Sequence, residues 1–353
     1  MHIGPRRGSR AAPAAAADVT DPLDVAALQV PARTIPAPQS VSPEARATLA
    51  PSSRTYASES AYPPPDDLDA WRAMLNSIAA ASADAPMPGW AERLEAIEAT
   101  VESIDVGGVP VFDITPATAR PGRPELIHLD IHGGALVFGG GIACQVMGLL
   151  AADRFQLRTW SVDYRMPPDH LYPAALDDCL TVYRSLVEQH GSENIVVSGG
   201  SAGGNLAAAL ILRARDEGLP LPPAVFLFTP EVDLTESGDT FQTNLGIDTV
   251  LHQGLRPINE LYAGGEDLAH PYLSPLFGDF TQGFPPTFLQ SGTRDLFLSN
   301  TVRMHRRLRA AGVAADLHVF EAMPHGGFGA TPEDGELDAE VRRYLDTHWP
   351  RTV

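Results

Sequence analysis

The chain has 353 residues, 44% hydrophobic content and a formal net charge of −19. That content can fill one large core without requiring two independent domains, while so negative a surface is repelled by phosphate backbones and anionic membranes, which sets nucleic acid aside as a partner. Cys144 and Cys179, the only cysteines, form no Cys-x-x-Cys pair; neither a disulfide framework nor a cysteine-based metal site is expected, and a reducing, cytoplasmic compartment fits.

Arg6, Arg7 and Arg10 precede an alanine run that Pro13 interrupts and Asp18 ends. The apolar centre of a secretion signal is missing, so the stretch reads as an irregular tail. No run approaches the ~18 apolar residues of a membrane span, and a soluble protein is expected. Residues 1–65 are rich in Ala, Pro and Ser, close on Pro63-Pro64-Pro65 and should be largely irregular. Over residues 66–100, Leu68, Trp71, Leu75 and Ile78 share one helical face and Trp90, Leu94, Ile97 and Val101 another, with Pro86 and Pro88 between them. Two amphipathic helices thus stand ahead of the main core, either as packing or as a lid.

Residues 101–353 carry a different pattern. A hairpin is predicted through Ile104–Val106 and Val109–Ile114, turned at Gly107-Gly108, followed by strands at Leu126–Ile131 and Thr159–Tyr164. Further strands are expected at Ile195–Val197, Val225–Phe228, Thr287–Gln290 and Asp316–Phe320. Helices are expected at Ala174–Glu188, Gly204–Arg215, Arg303–Ala311 and Leu337–His348. Apolar strands alternating with helices imply an α/β fold with a mainly parallel central sheet flanked by helices on both faces. Residues 233–275 break the alternation and read as an insertion that could complete a lid.

Chemistry-bearing residues fall at the ends of these strands. Gly199, Ser201 and Gly203 spell Gly-x-Ser-x-Gly between a strand and a helix, a turn that strains the serine, needs small neighbours and aims free helix N–H groups at its oxygen. A serine nucleophile requires a base, and the base an orienting acid. Asp295 follows strand Thr287–Gln290 and His325 lies in the loop after strand Leu317–Phe320, both where an open parallel sheet presents reactive groups. The order Ser201, Asp295, His325 is nucleophile, acid, base. His132-Gly133-Gly134-Ala135 follows strand Leu126–Ile131 and can bring backbone N–H groups to an oxygen, so Gly133, Gly134 and Ala202 are the candidate oxyanion donors. The run lacks the Gly-Lys-Ser/Thr and Gly-x-Gly-x-x-Gly endings of phosphate loops.

His132–Gly139, Asp163–His170, Pro173–Asp178, Gly199–Asn205 and the surroundings of Asp295 and His325 together resemble the bacterial hormone-sensitive-lipase-like esterases. The resemblance covers roughly Val101 to the C-terminus. It implies an α/β-hydrolase fold with a helical cap, hydrolysis of small carboxylic esters of short to medium acyl chain through an acyl-serine, and no cofactor or metal. By analogy it also allows two copies to pair through the edge strand Asp316–Phe320. Two residues depart from the pattern: Ala135 replaces the third glycine of the oxyanion loop, and Gly200 stands where an acidic residue is common. Asp163, Arg165 and Asp169 are expected to brace the oxyanion loop, and Glu231 to be a packing or a pocket residue. Lactones, amides or acyl transfer are alternatives for the same machinery, and a non-catalytic small-ligand-binding protein is the alternative from another class.

Overall fold

The computed structural model describes residues 27–28, 30–49, 62–82, 90–120 and 126–349. Much of the stretch expected to be irregular, with the arginine and alanine runs, therefore lies outside the described residues. Residues 1–36 and 37–353 are separate units. In the first, the described residues carry no helix or strand.

In the second unit a short helix α1 (Pro43–Thr48) interrupts the expected irregular stretch, its first turn capped by the Ser42 hydroxyl, which accepts from Ala45 N. Helices α2 (Leu68–Ser82) and α3 (Trp90–Ala96) follow. The second of these stops earlier than its periodicity suggests. Val101 belongs instead to strand β1 (Ala99–Val106), because β1 pairs along its whole length with β2 (Val109–Pro116) through the expected Gly107-Gly108 turn. Both glycines have positive φ, 64° and 87°, as a tight hairpin needs.

After β3 (Ile127–Ile131) comes α4 (Ile142–Phe155), which the periodic pattern does not reveal. Apolar residues lie on several sides of α4, so no single stripe marks it. Then follow β4 (Arg158–Val162), α5 (Ala174–His190), β5 (Ile195–Gly200), α6 (Ala202–Asp216) and β6 (Val225–Phe228). The stretch after β6 holds α7 (Thr240–Thr243) and α8 (Arg256–Ala263). The chain closes through β7 (Thr287–Gly292), α9 (Leu298–Ala310), β8 (Ala315–Phe320) and α10 (Pro332–His348). That last helix begins before Leu337, because Thr331 and Asp334 form a capping box around Pro332.

Among the described residues eight strands make one sheet in the order β1-β2-β4-β3-β5-β6-β7-β8, antiparallel from β1 through β2 to β4 and parallel from β4 onward. One face packs against α5, α6 and α9 through Leu129, Val197, Leu206 and Met304. The opposite face packs against α4 and α10 through Phe155, Phe226, Phe288 and Val341. A third cluster sits beyond the strands' C-terminal ends, where Trp71 of α2 and Ile258 and Leu261 of α8 meet Val137, Leu296 and Phe297. The helix ahead of the core and the insertion thus share one apolar cluster above the site.

Candidate functional site

Ser201 joins β5 to α6 at φ 55°, ψ −122°. That backbone is unfavourable for a residue with a Cβ and persists only where its surroundings impose it. Here Ser201 N–H donates to Phe228 O at 2.9 Å and Glu231 N–H donates to Ser201 O at 3.1 Å. The flanking glycines are steric necessities: a Cβ on Gly199 would lie 2.1 Å from Gly203 O, and one on Gly203 would lie 1.9 Å from Ile131 O. Gly200 is different, since its nearest neighbour would be Phe228 O at 3.9 Å. The position has room for the side chain it lacks.

Asp295 and His325 reach Ser201 from the expected loops. His325 Nε2 lies 2.9 Å from Ser201 Oγ, and His325 Nδ1 lies 3.0 Å from Asp295 Oδ1. Asp295 is fully buried and accepts from Ser291 Oγ at 2.6 Å and from Phe297 N at 2.9 Å. The two loops are held against each other by Gly292, where a Cβ would meet Met323 O at 1.9 Å. Phe297 stands edge-on to the imidazole at 4.8 Å. Burial opposes charge on His325, but the Asp295 charge and hydrogen bond, followed by Asp248 and Glu231, raise its pKa above the ordinary 6.5.

The loop after β3 lies directly on this elbow: a Cβ on Gly133 would be 3.0 Å from Gly200 O and 3.3 Å from Ser201 Cβ. No N–H of Gly133, Gly134 or Ala202 donates to an acceptor among the described residues, and Ala202 opens α6, where helix N–H groups are free. Ala135 and Leu136 take φ of 51° and 64°. Alanine accepts the left-handed conformation at about 1 kcal/mol, so the first departure is accommodated as strain. His132 Nδ1 pairs with Gly133 O at 2.8 Å, Tyr164 OH donates to His132 O at 2.9 Å, and Asp163 Oδ1 accepts from Gly141 N at 3.0 Å. Asp163 therefore braces the loop as expected. Arg165 and Asp169 do not touch it in these contacts: Arg165 grips Asp178 of α5 through Nε and Nη2, and Asp169 pairs with Arg72 of α2 at 3.0 Å.

Donor atoms of His132, Cys144 and Asp163 come within 4.8 Å of one another. Burial pushes the Cys144 thiol pKa up, so it offers no ready thiolate, and the group reads as part of the loop's support. A second Ser/His/Asp set, Ser198, His128 and Asp130, lies on the α4 face of the sheet. There His128 Nε2 meets Ser198 Oγ at 2.8 Å, but its Nδ1 meets Thr159 Oγ1, and Asp130 accepts from the two serines, Ser161 and Ser198, rather than from the imidazole. Without an acid on the imidazole, and with burial lowering the His128 pKa to about 3, this set lacks a proton relay.

Sequence reasoning gave no role to Asp248. Its buried carboxylate accepts from Leu296 N at 2.8 Å and from His325 N at 3.3 Å, tying the acid loop to the histidine loop, while Asn244 Nδ2 donates to Asp295 O at 2.8 Å. In the sequence Asp248 reads as a loop residue, and its short-range bonds to Val250 N and Leu251 N are ordinary turn contacts. Asp248→Ala should lower kcat about 10- to 100-fold with little change in KM, and should move the acid limb of the pH profile downward because a charge that raises the His325 pKa is gone. An unchanged acid limb in a folded variant would remove Asp248 from this role. Glu231 is buried with both carboxyl oxygens lacking a geometrically satisfied partner among the described residues, and burial raises its pKa to about 8. Its backbone N–H meets Ser201 O at the elbow, and its charge adds to those that raise the His325 pKa.

Residues 128–329 match a protein family described by its alpha/beta hydrolase fold. An acetyl-hydrolase of Streptomyces hygroscopicus is 31% identical over 227 residues, covering 62% of this chain and 76% of that protein. An esterase of Acinetobacter venetianus is 32% identical over 213 residues, covering 58% and 68%. Among solved structures, an esterase superposes with a TM-score of 0.81 at 36% identity over 91% of this chain and 99% of its own. An esterase of the bacterial hormone-sensitive lipase family superposes with a TM-score of 0.69 at 29% identity, over 88% and 99%.

Proposed function

The chain belongs to the α/β-hydrolase fold family, with the hormone-sensitive-lipase-like esterases, and is a carboxylic ester hydrolase; from that premise we propose that Ser201, His325 and Asp295 are its catalytic triad. The observation that carries the assignment is the continuous chain from Ser201 Oγ to His325 Nε2 at 2.9 Å and from Nδ1 to Asp295 Oδ1 at 3.0 Å. His325 takes the Ser201 proton as Oγ attacks the ester carbonyl carbon. Gly133, Gly134 and Ala202 N–H groups stabilise the oxyanion, which is the main electrostatic contribution to lowering the barrier. His325 then gives its proton to the departing alkoxide, leaving an acyl-serine and a free alcohol. Water, deprotonated by His325, repeats the attack and releases the acid. Labelling by a fluorophosphonate probe that Ser201→Ala abolishes is the expected result, and a wild type that stays unlabelled while folded would sink the assignment.

The raised His325 pKa sets the pH profile. Only the neutral imidazole can accept the serine proton, so activity should fall as pH drops through a value above the ordinary 6.5. A kcat/KM that is flat from pH 8 down to pH 5 would contradict the role of His325.

A cavity of about 400 Å3 bordered by Ser201 supports short to medium acyl chains. The apolar cluster joining α2 and α8 to the loops of Ala135 and Phe297 supports a cap made from residues 66–100 and 233–275. Among the described residues no helix is long and apolar enough to cross a membrane. The free, buried Cys144 and Cys179 support a cytoplasmic location, which fractionation of the producing cell tests. Strand β8 ends the sheet and leaves an edge that could pair two copies; sedimentation velocity gives the oligomeric state.

A further inference from the structure

Three neighbouring strands carry polar side chains on one buried face. His128 and Asp130 of β3 stand in register with Thr159 and Ser161 of β4, and Asp130 also with Ser198 of β5. A carboxyl in such a place is costly unless paired or put to use. Asp130 is only partly paired: Oδ2 accepts from Ser161 Oγ at 3.0 Å and Oδ1 from Ser198 Oγ at 3.4 Å, two of about four acceptor positions on a carboxylate. It also borders the cavity that Ser201 borders, together with Ser198 and Arg154, between apolar walls that include Met147 and Phe228.

We propose that this cavity receives the acyl chain of the substrate and that Asp130 and Ser198 select an acyl chain bearing a hydroxyl on about its sixth carbon, the carbonyl carbon counted as the first. The proposal rests on the ester-hydrolase reading above. Spacing sets the length: Ser198 lies three residues before Ser201, roughly 10 Å along a strand, and the two side chains shorten the gap. The order of events sets the side. The alcohol must leave before water can attack, whereas the acyl group stays bonded to Ser201 and can remain in the cavity that Ser201 borders. Charge sets the functional group. Arg154 already donates to Asp338 at 2.7 Å and lies over the Phe228 ring at 4.8 Å, so a carboxylate-ended chain would meet Asp130 without an uncommitted cation. A hydroxyl can donate to an acceptor position left on Asp130, and it can take the single Ser198 hydrogen only in place of Asp130 Oδ1 or His128 Nε2, which now share it. Burial pushes the Asp130 pKa up to about 7, so near neutrality the carboxyl both accepts and donates.

The test compares p-nitrophenyl hexanoate, 6-hydroxyhexanoate and the monoester of adipate, read as kcat/KM from p-nitrophenol release. In an apolar chamber the buried hydroxyl would cost tenfold or more, roughly; the expected result is that wild type takes 6-hydroxyhexanoate at least as well as hexanoate. Asp130→Leu should shift the ratio towards hexanoate by about tenfold. If that variant does not fold, the wild-type ratio and Asp130→Asn, expected to shift it in the same direction, decide. A wild type favouring hexanoate tenfold overturns the proposal, as does a ratio unmoved by Asp130→Leu. A best rate on the adipate monoester also overturns it and assigns selection to Arg154. Hexyl and 6-hydroxyhexyl acetate form the last arm: a hydroxyl preference confined to that pair would put the alcohol in the chamber and overturn the acyl assignment. Turnover of p-nitrophenyl acetate by wild type keeps the two levels apart, because its absence would fault the ester-hydrolase reading and not the chamber.

Discussion

Ser201→Ala should lower kcat on p-nitrophenyl butyrate by about a millionfold while leaving the fold intact. On the proposed assignment the serine oxygen forms the acyl bond, and no neighbouring group takes its place: among the described residues, the imidazole with a fully buried carboxylate behind it is His325, and its Nε2 faces Ser201 at 2.9 Å. Because triad members act as a unit, adding His325→Ala to Ser201→Ala should cost little more. Thermal melts of the variants matching wild type would separate lost chemistry from lost folding. The second Ser/His/Asp set supplies an internal control. His128→Asn, if folded, should keep turnover of the wild-type order, since His128 is buried against Phe155 and has no acid partner, whereas His325→Asn should not. Turnover of Ser201→Ala within tenfold of wild type would move the nucleophile elsewhere.

Gly203→Ala should destabilise the fold by about 3 kcal/mol or more, and Gly200→Ala by less than about 1 kcal/mol. A methyl at 203 would stand 1.9 Å from Ile131 O and 2.5 Å from His132 O, well inside the ~3.3 Å of a close C···O contact. Relief requires α6 to move away from the end of β3, where the oxyanion loop begins, so stability and activity should fall together. At 200 the new methyl meets Phe228 at 3.9 to 4.0 Å, ordinary contact. Denaturant midpoints measure both, and equal midpoints for the two variants would show that the approach of α6 to β3 is not as close as described.

The inner strands are legible as short apolar runs bounded by turn residues, from Leu126–Ile131 to Val225–Phe228, and the outer hairpin by its Gly107-Gly108 turn. Helix α4 is not, because its apolar residues lie on several sides and not in one stripe, so the periodicity that marks a helix with one wet face is missing. Val101 fits a helical face in the sequence because one turn of apolar spacing also fits a strand, and only pairing with Ile114 across the hairpin decides between them. In the site, Ser201, Asp295 and His325 could be named since each follows a strand in a recognisable order.

By itself the sequence determined the strand-to-helix elbow at Ser201, the loops that carry Asp295 and His325, proposed as acid and base, and the glycines proposed to bring a backbone to an oxygen, because these depend on local backbone geometry. The tertiary structure decided what depends on side chains distant in sequence. It placed Asp248 between the Asp295 and His325 loops, 77 residues from the histidine whose N–H it accepts, turned Arg165 and Asp169 to other partners, and gave Gly200 room beside Phe228. It also brought Asp130, Ser198 and Arg154 to the same cavity as the nucleophile. Strand register set Asp130 beside Ser198, and register is a property of the paired sheet rather than of any one strand.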